Sequence, residues 1–297
     1  MTALRRMPRL RRRGSTLIEL LVGMVILGII GGAMTKLLLV QGRFSSSAES
    51  CRVSRSVSRN AFNILMTDLR MVQDTLAIQA ASPDSITIRV PYAYGVVCGT
   101  TSGITTVSLV PTDSAFYALA TYGGYAYRDS ASGVFQFTPR GSSAIGDGNP
   151  NTCSDTVTGP GIDLVTYNGR PGQTKTISTS LSGAQPGNPM FLWQQITYRF
   201  GASTAYPGLR GLYRLIDNGT ASPVTDEITA PFDTSAHFRF YVLNSETSQV
   251  TPPANLNTIK GFDLRLNARS PTIPEAGSAP KLTKMTTAVY FKDRRDP

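Results

Sequence analysis

The feature that most constrains this chain of 297 residues is an apolar run near its N-terminus. Every residue from 20 to 34 is apolar or Gly, and from 15 to 34 only Ser15, Thr16 and Glu19 are polar. A helix needs about 20 apolar residues to cross the ~30 Å hydrocarbon core of a bilayer, so the run fits one crossing. The sequence therefore predicts a transmembrane helix over 15–39.

A strongly basic segment, 1–14, precedes the apolar run. It contains six arginines and no acid: Arg5, Arg6, Arg9, Arg11, Arg12 and Arg13. Positive charge beside a membrane span favours the cytoplasmic side. We therefore expect a cytoplasmic N-terminus, an inner-membrane anchor and an extracytoplasmic remainder.

Two simpler interpretations of this region are a secretory signal peptide and an ordinary single-pass anchor. Signal peptides have apolar cores of about 7 to 15 residues and a small-residue cleavage site. The only such site here is at 31–33, and apolar residues continue after it at 37–40. An ordinary anchor leaves Glu19 unexplained, because a carboxylate within a span is costly and usually functional.

The residues Arg11, Arg12, Arg13, Gly14, Ser15, Thr16, Leu17, Ile18 and Glu19 form a recognisable series before the span. The series resembles the class III signal of type IV prepilins and type II secretion pseudopilins. The resemblance implies that prepilin peptidase cuts between Gly14 and Ser15 and methylates Ser15, leaving the apolar helix in place. It also implies that Glu19 serves filament assembly by neutralising the N-terminal amine of a neighbouring subunit.

Elementary chemistry agrees with these positions. Gly14 has no side chain, so its backbone can enter a protease cleft. Cleavage there creates an ammonium group at Ser15, one helical turn from Glu19. Opposite charges attract far more strongly in apolar surroundings than in water, and an unpaired charge is penalised there.

The segment 40–80 is predicted to continue the helix with an amphipathic pattern. No proline occurs between Pro8 and Pro83, so nothing before Pro83 must break a helix. Apolar residues recur at three- and four-residue spacing, at Val57, Ala61, Ile64, Leu65, Leu69, Val72 and Leu76. A bare coiled coil is the alternative, but the apolar stripe is too short for several heptads.

The segment 81–297 is predicted to be an extracytoplasmic β-rich domain, which makes the fold class α+β. Short runs that alternate apolar and polar residues are separated by Gly, Pro, Ser and Thr. These runs predict strands at 85–90, 104–110, 134–137, 193–200, 209–216, 237–243, 262–267 and 284–291. The strand at 262–267 is expected to have one polar face. Segment 140–190, rich in Gly, Asn, Pro and Ser, is predicted to be a loop-rich insertion.

A looser resemblance extends into the C-terminal region. The segments 52–72, 196–199, 211–214 and 259–266 follow the order of elements in PilW-type minor pilins and the J-type minor pseudopilin. The acid at Glu19 argues against the tip-most pseudopilin, which usually lacks it. A mature length of 283 residues exceeds that of a typical major pilin, so the expectation is a minor subunit of either system.

The resemblance implies three kinds of partner: other major and minor pilins or pseudopilins, prepilin peptidase, and the inner-membrane assembly platform. Removing the six leader arginines lowers the formal net charge from +10 to +4. That residual charge leaves binding of extracellular DNA open as an alternative, although net charge alone is weak support.

The three cysteines fit an exported protein. Cys98 and Cys153 lie in the outward region, where a disulfide between them is one possibility. Closing that 55-residue loop would contribute about 4 kcal/mol in the chain-entropy model. Cys51 falls on the helix and is expected to be an inert thiol.

Other candidate sites are weak, so we expect no cofactor, no metal and no enzymatic activity. Oxygen-bearing residues begin a calcium-like loop at Asp147, but Thr152 and Thr158 replace its glycine and closing acid. The only histidine, His237, cannot form a catalytic triad alone. The pair at 123–124, flanked by tyrosines, predicts a hairpin turn. A solitary adhesin and, less favoured, a tethered enzyme remain as alternative functions.

Overall fold

A computed structural model describes residues 16–72, 75–110, 113, 122–140, 145–147, 153, 166–167, 170–171, 173–217, 224–271 and 279–291. The predicted leader 1–14, with its cleavage site, lies outside these residues. Most of the predicted insertion at 140–190 does as well, although several short strands lie within it.

One helix, α1 (Leu17–Arg70), runs for 54 residues without interruption. At 1.5 Å per residue it is about 80 Å long. At the end of the helix the backbone N–H of Met71 donates to the Asp68 carbonyl at 3.1 Å, and that of Val72 donates to the Leu69 carbonyl at 3.3 Å. The expected boundary at 80 was wrong, because a 3-10 turn (Thr75–Ala77) and the first strand precede it. The absence of proline permits a helix there, but residues from Ile78 onward form a strand instead, because pairing with the next strand buries Ile78.

The second half of α1 packs on the β region through one face. Its buried residues are Ser50, Ser54, Val57, Ser58, Ala61, Leu65, Met66 and Leu69. The predicted apolar stripe accounts for Val57, Ala61, Leu65 and Leu69. The serines that continue this face toward the N-terminus were not predicted.

In the described part of the chain, seventeen strands follow the helix, and the strand pairs among them are all antiparallel. They are β1 (Ile78–Ser82), β2 (Ser85–Thr101), β3 (Ile104–Leu109), β4 (Gly124–Arg128), β5 (Phe135–Pro139), β6 (Ile145–Asp147), β7 (Thr166–Tyr167), β8 (Arg170–Pro171), β9 (Gln173–Ile177), β10 (Pro189–Ala202), β11 (Arg210–Asp217), β12 (Val224–Phe232), β13 (His237–Val242), β14 (Ile259–Arg265), β15 (Ala268–Arg269), β16 (Leu282–Thr283) and β17 (Thr286–Tyr290). Each predicted strand overlaps an observed one. The fold class is α+β, as predicted.

Most of these strands form one large sheet, whose main path runs β16-β15-β12-β11-β10-β2-β3-β9-β6. The long strands β2 and β10 pass through two hydrophobic cores. At one end, Ile86, Ile88, Ile196 and Tyr198 pack with the helix and a separate sheet of β13, β14 and β17. At the other end, the same strands meet β3, β4 and β9. The rigid strands thus connect the helix-bearing core to a distal one.

Strand β14 is buried on both faces, which contradicts the expected polar face. Asp263 is only 2% exposed and accepts hydrogen bonds from Ser248 Oγ at 2.7 Å and from Arg265 Nη2 at 3.0 Å. The Nε of Arg239 lies 3.6 Å from the same carboxylate. Alternation in the sequence shows which residues are polar, but it does not show which are exposed to solvent. A polar residue can be buried when cations at neighbouring positions pair with it.

The expected turn at Gly123 and Gly124 is absent, and the two residues lead into β4 instead. Gly124 pairs with Trp193 of β10 and with Pro139 of β5. A Cβ on Gly123 would lie 2.7 Å from the Trp193 ring. The glycines are therefore required by close packing and not by turn geometry.

We predict that Gly124→Ala destabilises the protein by about 1–3 kcal/mol, because its methyl group would meet the carbonyl of Thr138 and the Trp193 ring. The control is Gly99→Ala, since a Cβ there meets nothing within 4 Å. Urea unfolding of both variants measures the difference. Equal midpoints would contradict the packing role.

Candidate functional site

The N-terminal turn of α1 carries the acid that the sequence analysis singled out. Thr16 is the N-cap, and its Oγ1 accepts a hydrogen bond from the backbone N–H of Glu19 at 3.4 Å. Its carbonyl accepts from Leu20 N at 3.2 Å. A threonine cap followed three residues later by glutamate is a common helix start, and the acid also favours the positive end of the helix dipole. Glu19 is exposed at this end of the helix.

Gly14, Ser15 and the basic block Arg11, Arg12 and Arg13 lie outside the described residues. The roles assigned to them as a cleavage site, a methylation site and a leader remain predictions.

The N-terminal half of α1 exposes apolar side chains on every side. The large ones are Leu17, Ile18, Leu20, Leu21, Val22, Met24, Val25, Ile26, Leu27, Ile29, Ile30, Met34, Leu37, Leu38, Leu39, Val40 and Phe44, between 49% and 84% exposed. The most apolar 18-residue window is wholly unburied, and by length and composition this helix can cross a membrane. Soluble monomers rarely expose so large an apolar surface, so lipid or other protein must cover it.

Five glycines lie along this exposed region: Gly23, Gly28, Gly31, Gly32 and Gly42. A Cβ at any of them would meet nothing within 4 Å. Packing within the chain therefore does not require glycine there. Small residues allow helix backbones to approach each other closely in membranes, so these positions suit contact with another helix.

A cluster of Asp68, Tyr198 and Arg214, here called the Asp68 cluster, connects the end of α1 to β10 and β11. Tyr198 Oη donates a hydrogen bond to Asp68 Oδ2. Arg214 donates from Nη2 to the same oxygen at 3.2 Å, and from Nε to Tyr198 Oη at 3.2 Å. The side chains of Arg214 and Asp68 are 28% and 14% exposed. The cluster holds the sheet against one turn of the helix.

The pKa values of the cluster reflect its burial and its charges. Burial raises the pKa of Tyr198 strongly, and the neighbouring Asp68 carboxylate raises it further. Burial opposes the charge of Arg214, yet Tyr198 and Asp68 hold its pKa above the ordinary value. The tyrosine therefore remains a neutral donor and the arginine a cation.

Sequence reasoning did not bring these residues together, although each lies in a segment of the looser resemblance. Asp68 is not among the residues of the predicted apolar stripe, and Tyr198 and Arg214 lie in predicted strands without an assigned role. Sequence reasoning also missed Ser54 and Ser58, which contact Thr283 Oγ1 at 2.7 Å and the Leu266 carbonyl at 3.0 Å. The regular spacing of serines at 50, 54 and 58 was the available signal.

The remaining predicted site residues are structural where they are described. Cys98 on β2 forms a disulfide with Cys153, with a Cα–Cα distance of 5.0 Å and 55 residues between them in sequence. Cys51 is a free, half-buried thiol. His237 Nδ1 lies 2.7 Å from the Ser235 carbonyl oxygen. The side chains of the calcium-like loop at Asp147 lie outside the described part of the chain.

Residues 9–35 match the family model described as the prokaryotic N-terminal methylation motif. No curated protein and no solved structure matches the chain. The matched residues include Gly14, Ser15 and Glu19 and run into the exposed apolar helix. The chain therefore carries, over residues 9–35, the class III signal of the type IV pilin and pseudopilin family.

Proposed function

We propose that the chain is a minor subunit of a type IV pilus or of a type II secretion pseudopilus, with a structural and not an enzymatic role. The observation that carries the proposal is the division of α1 into two halves. The half after the signal exposes apolar residues on all sides, whereas the other half is fixed to a β domain. Such a helix can move from lipid into contact with other helices while the β domain keeps its own fold.

The same proposal assigns a location and partners. The precursor lies in the inner membrane with its leader in the cytoplasm and its β domain outside. Cleavage after Gly14 and methylation of Ser15 precede transfer to the filament. The partners are prepilin peptidase, the inner-membrane assembly platform, and other major and minor pilins or pseudopilins.

The size of the β region favours a minor subunit. After cleavage 283 residues remain, and a twelve-stranded sheet with a second, three-stranded sheet follows the helix. A large domain takes up space around a filament axis, which suits a subunit present in few copies. The looser resemblance to minor subunits points the same way.

A solitary adhesin anchored by the same helix is the second candidate. It shares the exposed span and the large β region. It gives no role to the carboxylate of Glu19 or to a leader cut after Gly14. Processing and incorporation therefore separate the two functions.

We predict that mass spectrometry of the membrane and sheared-filament fractions will find a chain that begins with methylated Ser15. Gly14→Val should leave the leader attached, because a branched side chain blocks close approach of the backbone. Gly23→Ala is the control, since its added Cβ meets nothing within 4 Å. An intact wild-type leader, or release after residue 33 or beyond, would refute the proposal.

A further inference from the structure

An exposed face of α1 is basic between residues 52 and 70. Arg52, Arg55, Arg59 and Arg70, here called the arginine face, are all exposed and follow one another at helical spacing. Arg52 to Arg59 spans two turns, about 10 Å, and Arg70 lies about 27 Å from Arg52 along the axis.

The arginine face contains little negative charge among the described residues. Glu49 pairs with Arg52 at 2.9 Å, and Asp68 is turned toward Arg214. Neither Arg55 nor Arg59 forms an ion pair within the described part of the chain. Like charges three or four residues apart destabilise a helix, so this arrangement costs stability in the isolated subunit.

A groove of about 450 Å³ runs beside the arginine face, between α1 and strand β12. Its apolar lining includes Val53 and Val57 from the helix and Ala230 from the strand. Arg52, Ser56 and Asn60 supply polar groups from α1. A groove of this kind accepts an apolar side chain and places a cation next to it.

We propose that the arginine face and the groove together dock an acidic protein segment of a neighbouring subunit. Carboxylates of the segment pair with Arg55 and Arg59, while one of its apolar side chains enters the groove. This inference rests on the proposed function, because it names the chemistry of a partner in the same assembly. It assigns the charged half of α1 to partner choice and the apolar half to polymerisation.

Two observations favour protein over nucleic acid. The arginine face continues the same rigid helix whose apolar half already requires protein or lipid partners. The groove offers only one aromatic ring, that of Tyr206, whereas proteins that bind single strands use several rings on which bases stack. An acidic protein surface satisfies both the charge and the groove.

The test is charge reversal in the full-length chain. Arg52→Glu, Arg55→Glu and Arg59→Glu are combined, and a photocrosslinker is placed at Asn60 in the otherwise wild-type and reversed chains. We expect the crosslink to a pilin-like subunit in the filament fraction to fall roughly tenfold or more on reversal. The control combines Arg128→Glu, Arg199→Glu and Lys284→Glu, which are exposed and change the net charge equally.

A charge swap then identifies the contact. Replacing the crosslinked acid of the neighbour by Arg should restore the crosslink to the reversed chain. An unchanged crosslink after reversal, equal loss in the control, or failure of the swap would overturn the inference. So would binding of a 30-nucleotide DNA probe that only the reversal at 52, 55 and 59 abolishes, since the occupant would then be nucleic acid.

The outcome is separable from that of the proposed function. If the reversed chain enters filaments with its crosslink unchanged, the docking inference fails and the subunit role stands. If the wild-type chain never reaches the filament fraction, the subunit role itself fails.

Discussion

Glu19→Ala is expected to abolish incorporation of the chain into filaments while leaving cleavage after Gly14 unchanged. The carboxylate lies in the first turn of α1, at the third helical position, beside an apolar surface that has no other acid before Glu49. In the proposed filament, a neighbour's N-terminal ammonium would enter the same apolar environment once the helix has left lipid. An unpaired charge there would be penalised, and the proposal gives Glu19 the role of supplying the compensating charge.

The measurement is the ratio of mature chain in sheared filaments to mature chain in membranes. A loss of about 3 kcal/mol of pairing would lower that ratio more than a hundredfold. Glu49→Ala is the matched control, because Glu49 is an exposed acid on the same helix, beyond the apolar region. We expect that variant to assemble normally.

Glu19→Gln separates charge from shape. The amide has nearly the same size and can accept a hydrogen bond, but it cannot neutralise an ammonium. We therefore expect Gln to fail almost as completely as Ala, while Asp retains partial incorporation. Normal assembly of the Ala and Gln variants alongside other subunits would contradict the role given to Glu19.

The parts of the fold that were predictable are those fixed by local pattern. An apolar run long enough for a membrane and a three- to four-residue stripe depend on residues close in sequence, so α1 and its buried Val57, Ala61 and Leu65 could be identified. Period-two alternation similarly located eight of the seventeen strands found in the described part of the chain. These signals need no knowledge of tertiary neighbours.

Strand length was harder to predict. A proline would normally end a strand, but a β-bulge formed with a neighbouring strand allows β2 to continue past it. The prediction stopped at Val90, just before Pro91, but β2 continues to Thr101. The register with β10 shifts between Leu192 and Trp193, which pair with Ala93 and Pro91. The bulge leaves one extra residue on β2 and lets the strand accommodate a proline.

The candidate site likewise has a part that the local sequence predicts and a part that depends on tertiary packing. The acid at Glu19 and its distance from Gly14 are local and could be read from the sequence. The Asp68 cluster joins residues separated by 130 and 146 positions, so pattern alone could not assemble it. Only the packing of α1 on the sheet brings the three side chains together.

Asp68→Ala is expected to destabilise the protein by about 3 kcal/mol. The change removes the acceptor of Tyr198 Oη and of Arg214 Nη2, and it leaves a half-buried guanidinium without its acid. Because the side chains of Asp68 and Arg214 are partly exposed, the expected loss of stability lies at the low end of the range for breaking a buried ion pair. Thr67→Ala is the control, because Thr67 is exposed and bonds only to the Asn63 carbonyl.

Urea unfolding of the detergent-solubilised chain measures the loss, with fluorescence from Trp193, the only tryptophan, which is 3% exposed. A double-mutant cycle with Arg214→Met isolates the coupling. The double variant should lose less stability than the sum of the two single variants, because no unpaired charge remains once both residues are replaced. Additive losses, to within about 0.5 kcal/mol, would show that the cluster does not act as a unit.

We also expect the cluster to limit movement of the β domain relative to the helix. It fixes Asp68, in the last turn of α1, to two strands that run through the helix-bearing core. If α1 is the element that assembles, a loosened cluster should let the β domain move relative to it. Asp68→Ala is therefore expected to make the chain next to Val72 and Ala77, which are both buried, more susceptible to limited proteolysis. Adding Arg214→Met to Asp68→Ala is expected to restore part of the protection. Equal cleavage of all variants would place the rigidity in the apolar contacts of Leu65 and Leu69 instead.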